Sequence, residues 1–165
     1  EIEKLASTYR RPTSISFPRP MMDQKNYDFS FSGLKTSVLY YLRDHPLKAR
    51  GLKIRINPHS NPHKSADAAH IAASFQKAAI DVLVSKTMRA AQEFGAKSIM
   101  LSGGVASNSA LRRELKVKCQ KLKINFFVPP KKFNTDNAAM IAVAAYIQLL
   151  RRKKHAIRAQ GNLNL

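Results

Sequence analysis

KSIMLSGGVASN, residues 97–108, is the stretch that decides the fold. Its first half is a short apolar run after Gly95, which is typical of a strand buried on both faces. Its second half is a glycine pair followed by Ser107 and Asn108, where a helix is predicted to begin. Such a turn can bind a nucleotide, because glycines let a ligand approach the backbone and a helix start offers unpaired N–H groups. The alternative is an ordinary strand-to-helix turn that Asn108 caps.

Apolar residues at helical spacing predict long helices on both sides of this turn. One helix is expected from about Asp67 to Phe94, and Gly95 is placed to end it. The helix after the turn carries its apolar residues on one face: Leu111, Leu115, Cys119 and Leu122. Cys119 is therefore predicted to be a small buried residue and not a nucleophile.

Short strands are predicted at three further places. Ser14–Phe17 precedes a Pro-rich stretch, and Tyr27–Phe31 alternates aromatic and polar residues before Ser32-Gly33 and a helix. A strand at Ile124–Val128 ends at a proline pair, and another helix runs from about Asn134 to Leu150. The expected fold class is α/β, with a short sheet flanked by long helices.

Charge gives the strongest indication of a partner. The chain of 165 residues has 29 Lys and Arg against 10 Asp and Glu, a net charge of +19 at pH 7. Nucleic acid is the favoured partner and an anionic membrane surface is the second choice. The basic residues on the helix after the turn form either a solvated face or a phosphate-binding stripe: Arg112, Arg113, Lys116, Lys118 and Lys121.

The composition limits the other possibilities. One domain is expected from the length, and no apolar run is long enough to cross a membrane. A single cysteine fits a reducing compartment, and a cytoplasmic location is expected. Residues 48–64 are read as a basic flexible connection and 151–165 as a basic tail. His59 and His63 have the spacing of a helical metal pair, but the proline between them disfavours that interpretation.

Asp136 is the candidate metal ligand of this chain. An acid at a helix start is by default a cap or a first-turn residue. Asp136 also follows a predicted strand, so it is expected at the same sheet end as the glycine turn, where ligands bind in such sheets. A carboxylate there could hold a metal that in turn holds phosphate.

The ordered blocks FPRPM, DFSFSGLKT, IAASFQKA, LSGGVASN, LRREL, VPP and TDNAAMIA resemble the TsaD (YgjD/Gcp) family, from Phe17 to about Tyr146. Members of that family transfer threonylcarbamoyl from threonylcarbamoyl-AMP to N6 of adenosine 37 in tRNAs that read ANN codons. The resemblance implies an ASKHA (actin/Hsp70/sugar-kinase-like) fold. The chain then corresponds to a single C-terminal lobe, residues 1–165, without the N-terminal lobe.

The resemblance also implies roles for particular residues. Gly103, Gly104 and Asn108 would lie at the adenosine of threonylcarbamoyl-AMP, and Asp136 would be one ligand of a divalent metal ion, iron or zinc. The other ligands, a histidine pair, would belong to the N-terminal lobe. Asn134 stands where the family usually has Cys, so the resemblance does not define the detailed properties of the site at this position. No residue is an evident general base.

The function implied is that of an N6-L-threonylcarbamoyladenine synthase, an acyltransferase that is inactive without its N-terminal lobe. Its expected partners are tRNA, threonylcarbamoyl-AMP, that lobe and accessory subunits of the threonylcarbamoyladenosine machinery, and no membrane. One alternative is a non-catalytic RNA-binding module derived from the same lobe. Another ASKHA carbamoyltransferase or kinase is a third possibility, which the FSFSGLKT block disfavours.

Overall fold

The computed structural model describes residues 1–45 and 68–151 of the chain. The mixed α/β class predicted from the sequence is confirmed. The elements in chain order are α1 (Ile2–Thr8), α2 (Ser32–Asp44), α3 (Ala68–Glu93), β1 (Ser98–Met100), α4 (Ser109–Lys121), β2 (Asn125–Phe127) and α5 (Ala138–Leu150). Four predicted features lie outside the described residues: the connection at 48–64, the His59 and His63 pair, Asp67, and residues 152–165 of the tail.

Helix α3 is the longest element, and α1, α2 and α4 all pack against it. It ends where the sequence predicted, because Gly95 adopts φ +59°. The N–H of Ala96 donates to the carbonyl of Ala91 at 2.8 Å, and Gly95 N–H donates to Gln92 at 3.3 Å. These two bonds form a Schellman cap, which satisfies the last carbonyls of the helix.

Two apolar clusters lie along α3. The first joins α3 to α4 through Ile80, Val84, Met88, Leu111, Leu115 and Cys119. The second joins α3 to α2 and to the segment before it through Phe17, Leu34, Ile71 and Ala78. Cys119 is buried in the first cluster, as predicted, and burial raises the pKa of its thiol. It therefore serves as a core residue.

The sheet has two parallel strands in the described part of the chain, with Ile99 opposite Phe126 and Met100 opposite Phe127. Ile99 and Phe126 pack against the cluster between α3 and α4. Met100 and Phe127 point to the other face, where they are 79% and 56% exposed. One face of this sheet is therefore open and apolar.

The strands predicted at Ser14–Phe17 and Tyr27–Phe31 were wrong, because both segments are irregular. At the first segment, the backbone N–H of Ser14 donates to Nε2 of His70 on α3 at 3.0 Å. Cations of α3 bind the backbone of the second segment and of the residues just before it. Lys86 is 1% exposed, and its ammonium donates to the carbonyl of Asp28 at 2.5 Å. Arg89 donates to the carbonyls of Gln24 and Asn26, each at 2.7 Å. The alternating pattern thus belongs to a segment that side chains hold in place.

Leu122, predicted on the apolar face of α4, and Phe94, predicted as the end of α3, are both exposed. Phe94 follows the last turn of α3 and is 72% exposed, with its ring against Tyr27 at a centroid distance of 5.7 Å. Leu122 is the C-cap residue of α4 and is also exposed. Both lie beyond the last helical turn, so the periodicity of the helix no longer directs their side chains.

Helix α5 ends near Leu150, as predicted, but has no buried residue among its 13 positions. It contains no charged residue, and its large apolar side chains from Met140 to Leu150 are exposed. A helix that is apolar on all sides belongs in the interior of a larger assembly. Within the described ranges, no helix is long and apolar enough to span a bilayer.

Candidate functional site

The glycine turn begins where β1 ends, as the sequence predicted. Gly103 has φ +87° and ψ +174°, a backbone region that is in practice open only to glycine. A short 3-10 helix follows at Gly104–Ser107. A Cβ at either glycine would meet no atom of the described residues within 4 Å. The backbone of the turn is therefore open to a ligand.

Asn108 joins the turn to α4 and α3. Its Oδ1 accepts a hydrogen bond of 3.0 Å from the backbone N–H of Leu111, which makes it the N-cap of α4. Its Nδ2 donates to Oε1 of Gln76 on α3 at 2.9 Å. Both polar atoms of the amide thus have structural partners, and any ligand contact would compete with the bond to Gln76.

The N-terminus of α4 is also closed by a residue that sequence reasoning missed. Glu3 of α1 accepts a hydrogen bond of 2.7 Å from the backbone N–H of Ser109. This bond, aided by the nearby Lys131 ammonium, holds the pKa of the Glu3 carboxyl below its usual value. A single acid in a short helix carries no signal for such a long-range contact, so only the structure reveals it.

The segment after β2 lies against the glycine turn, because parallel neighbouring strands end at the same sheet edge. Lys131 Nζ donates to the hydroxyl of Ser109 at 2.9 Å. Asn134 is buried, and its Nδ2 donates to the hydroxyl of Ser107 at 3.3 Å. Its Oδ1 is also buried and has no partner within the described ranges. The prediction that the two loops share one end of the sheet is therefore confirmed.

Asp136 lies just before α5 and is exposed. The N-cap of α5 is Asn137, whose Oδ1 accepts from the N–H of Met140 at 3.0 Å, so the alternative of Asp136 as the cap was wrong. In residues 1–45 and 68–151 the carboxylate of Asp136 forms no hydrogen bond or ion pair, which leaves it open for a ligand. It could supply one oxygen to a metal ion.

A metal ion would need further ligands. Within the described residues, no group of three or more His, Cys, Asp or Glu side chains is arranged to hold one. Asp136 alone fits only as one member of a set whose other ligands come from elsewhere, because a single carboxylate binds a divalent ion weakly.

The basic face of α4 is smaller than predicted, because Arg112 turns inward. Its Nε donates to the carbonyl of Ala106, and its Nη2 donates to the carbonyl of Pro129 at 3.0 Å. The remaining basic side chains of the predicted face are exposed: Arg113, Lys116, Lys118 and Lys121. These four are free to meet phosphates or solvent.

A cavity of about 200 Å³ lies beside Asn108 and Glu3, between α1, α3 and the glycine turn. Its other walls are Gln76 and apolar side chains such as Phe75 and Leu83. It is smaller than the roughly 300–1,000 Å³ of typical small-molecule sites. A larger cavity of about 590 Å³, lined by Arg19 and Arg89 among others, contains no residue of the glycine turn. The cavity that the described residues form beside the glycine turn is therefore small for a ligand of that size class.

Comparisons with known proteins identify relatives across nearly the whole chain. A family model described as tRNA N6-adenosine threonylcarbamoyltransferase matches residues 1–143. A protein of that name from Moorella thermoacetica is 46% identical over 152 residues, which cover 92% of this chain and 40% of the relative. A namesake from Desulfotalea psychrophila is 48% identical over 138 residues, 84% of this chain and 37% of the relative.

A third relative of the same name, from Thermosipho melanesiensis, is 40% identical over 165 residues. That alignment covers 100% of this chain and 45% of the relative. The chain therefore spans less than half the length of the curated relatives that it matches, and the matched region is their C-terminal part.

Proposed function

Because this chain belongs to the tRNA N6-adenosine threonylcarbamoyltransferase family, we propose that it forms the C-terminal lobe of such an enzyme. The reaction would transfer threonylcarbamoyl from threonylcarbamoyl-AMP to N6 of adenosine 37 in tRNAs that read ANN codons. N6 forms a bond to the carbamoyl carbon and loses a proton, while the bond from that carbon to the phosphate oxygen breaks and AMP leaves. The family match over residues 1–143 carries this proposal.

The proposed nucleotide site is the glycine turn. Gly103 and Gly104, whose backbone is open, would contact the adenosine of threonylcarbamoyl-AMP. Asn108 would contact it from the start of α4 in place of the Asn108 bond to Gln76. The apolar cavity beside Asn108 would contribute one wall of a larger pocket. The described residues contribute no evident general base, so the proton from N6 is assigned to no side chain here.

Asp136 is proposed as the metal ligand that this lobe contributes. Its carboxylate is exposed and has no partner among residues 1–45 and 68–151, which suits an ion such as iron or zinc whose remaining ligands would come from the N-terminal lobe. When bound, the metal would act as a Lewis acid and stabilise charge that develops on oxygen. Asn137 holds the start of α5, and thereby the segment carrying Asp136, through its cap bond to Met140.

Two uncovered apolar surfaces support the need for a second lobe. The open sheet face exposes Met100 and Phe127, and α5 has no buried residue. We propose that the chain is one lobe of an ASKHA fold and that the N-terminal lobe packs against these two surfaces. Accessory subunits of the threonylcarbamoyladenosine machinery would bind the assembled enzyme in the cytoplasm.

The net charge of +19 supports tRNA as the macromolecular substrate. Exposed lysines on α4 supply part of this charge, and phosphate neutralisation releases condensed counterions. The same charge also favours the second candidate function, an RNA-binding module without catalysis.

A chimera separates the two functions. This chain replaces the matched C-terminal part of the Moorella thermoacetica relative, and the purified chimera is assayed for threonylcarbamoyl transfer to tRNA. Transfer by the chimera, and none by this chain alone, is the expected result. A folded chimera that binds tRNA but does not transfer would support the RNA-binding module and overturn the proposed enzyme.

A further inference from the structure

Arg112 connects the two loops that form the candidate site. Its guanidinium donates from Nε to the carbonyl of Ala106, in the glycine turn, and from Nη2 to the carbonyl of Pro129, after β2. The planar fork of arginine has donors in a fixed geometry, so the two carbonyls are held at a set separation. Because both acceptors are backbone atoms, this link constrains the path of each loop directly.

Two weaker links lie between the same loops. Lys131 donates to the side chain of Ser109, and Asn134 donates to the side chain of Ser107. Each joins two side chains, whereas among the described side chains it is Arg112 that bridges the two backbones. We refer to the three residues Arg112, Lys131 and Asn134 as the loop brace.

The loop brace spans the two halves of the proposed site. The glycine turn would hold the nucleotide, and the segment after Pro129 leads to Asp136, the proposed metal ligand. We propose that Arg112 is a positioning residue, which sets the nucleotide-binding turn relative to the segment that carries Asp136. This inference rests on the proposed function and adds to it a residue that touches neither substrate nor metal.

Replacing Arg112 is expected to lower the rate of the reaction more than the affinity for the ligand. Each loop keeps its own internal turn bonds, such as Ala106 N–H to Gly103 and Phe133 N–H to Pro130, when Arg112 is replaced. Ligand contacts made by one loop therefore survive, but the two loops lose their fixed separation. A misplacement of about 1 Å can cost on the order of 100-fold in rate.

The first test uses this chain by itself. Arg112→Gln removes the fork, and amide hydrogen exchange is followed at Ala106 and Asn108 in one loop and at Phe133 and Asn134 in the other, all of which donate to turn carbonyls. Exchange should accelerate about tenfold in both loops. Arg113→Gln on the exposed side of α4 is the matched control and should leave both loops unchanged. Unchanged exchange at Phe133 and Asn134 in the Arg112 variant overturns the brace.

The second test uses the active chimera described above. Arg112→Gln should lower kcat about 10- to 100-fold while KM for threonylcarbamoyl-AMP stays within about threefold. Arg112→Lys keeps the charge without the fork and should recover only part of kcat. An unchanged kcat in folded enzyme overturns the positioning role. An inactive parent chimera counts against the proposed function instead, and the exchange measurement then decides the brace.

Discussion

Glu3 and Ser109 lie 106 residues apart in sequence, yet the carboxylate of Glu3 accepts a 2.7 Å hydrogen bond from the backbone N–H of Ser109. This bond places a negative charge at the N-terminus of α4, where the helix dipole favours an anion. It also holds α1 beside the glycine turn. One side of the candidate site is therefore closed by the first helix of the chain.

This contact predicts a specific pH dependence. The pKa of Glu3 is lowered in the folded chain, chiefly by the Ser109 hydrogen bond, from an ordinary value of 4.5. Its stabilisation is therefore complete above about pH 4.5 and is lost as the pH falls through the lower folded value. Urea unfolding of Glu3→Gln should show a smaller loss of stability between pH 7 and pH 3 than wild type. Glu114→Gln on the exposed face of α4 is the control, and an equal loss in all three proteins contradicts the prediction.

Asn108 and Gln76 offer a matched pair of substitutions. Asn108→Ser keeps an N-cap acceptor but loses the bond to Gln76, whereas Gln76→Ala loses that bond and keeps Asn108. Both should cost about 0.5–1.5 kcal/mol of stability in thermal melts. In the chimera, only Asn108→Ser should also lower the affinity for a non-hydrolysable threonylcarbamoyl-AMP analogue, by roughly 5- to 150-fold. Equal affinities for the two variants would remove Asn108 from the nucleotide site.

Asp136 and Asn137 separate metal binding from helix capping. Asn137→Ala removes the bond to Met140 N–H and should destabilise by about 1 kcal/mol without loss of metal. Asp136→Ala should leave the melting temperature nearly unchanged, because the carboxylate has no partner in the described ranges, but should remove metal and activity from the chimera. Metal content is measured on the purified chimera. Full metal occupancy in Asp136→Ala would refute the ligand assignment.

RNA binding should depend steeply on salt. At a net charge of +19, contacts with several phosphates should make the affinity of this chain for tRNA fall by orders of magnitude between about 50 and 200 mM salt. Reversing Lys116 and Lys121 on the exposed face of α4 to Glu should flatten that slope. Titrations at four salt concentrations measure it, and a flat dependence in wild type would show that the basic surplus is not an RNA footprint.

Lys123 marks a place where the chain can be made more stable. It adopts φ +57° after α4, and the N–H of Ile124 donates to the carbonyl of Cys119 at 2.9 Å, so Lys123 occupies the position that glycine fills after α3. Lys123→Gly should stabilise the chain by about 0.5–1 kcal/mol in urea unfolding. Lys121→Gly, two residues earlier in the last helical turn, should destabilise it by about as much. A loss of stability in Lys123→Gly would show that the positive φ of Lys123 does not destabilise the chain.

The features that were predicted correctly are those that a local pattern of residues determines. Helices α3 and α4 follow from apolar periodicity and the turn after β1 follows from glycine position, and Asn108 was expected at a helix start. The irregular segment around Tyr27 was mistaken for a strand, because alternation alone cannot reveal that Lys86 and Arg89 would bind its backbone. Arg112 was placed on a basic face for a similar reason, since its carbonyl acceptors depend on tertiary structure.

The fold makes different demands on the two adjacent glycines of the turn. At residue 103 the backbone itself excludes every side chain, so glycine is required whether or not a nucleotide is ever bound. At residue 104 the backbone lies outside the left-handed region, and no atom of the described residues would lie within 4 Å of an added Cβ, so the described part of the fold tolerates alanine. A side chain at the second position would therefore meet only a molecule or segment that approaches the turn from beyond the described residues.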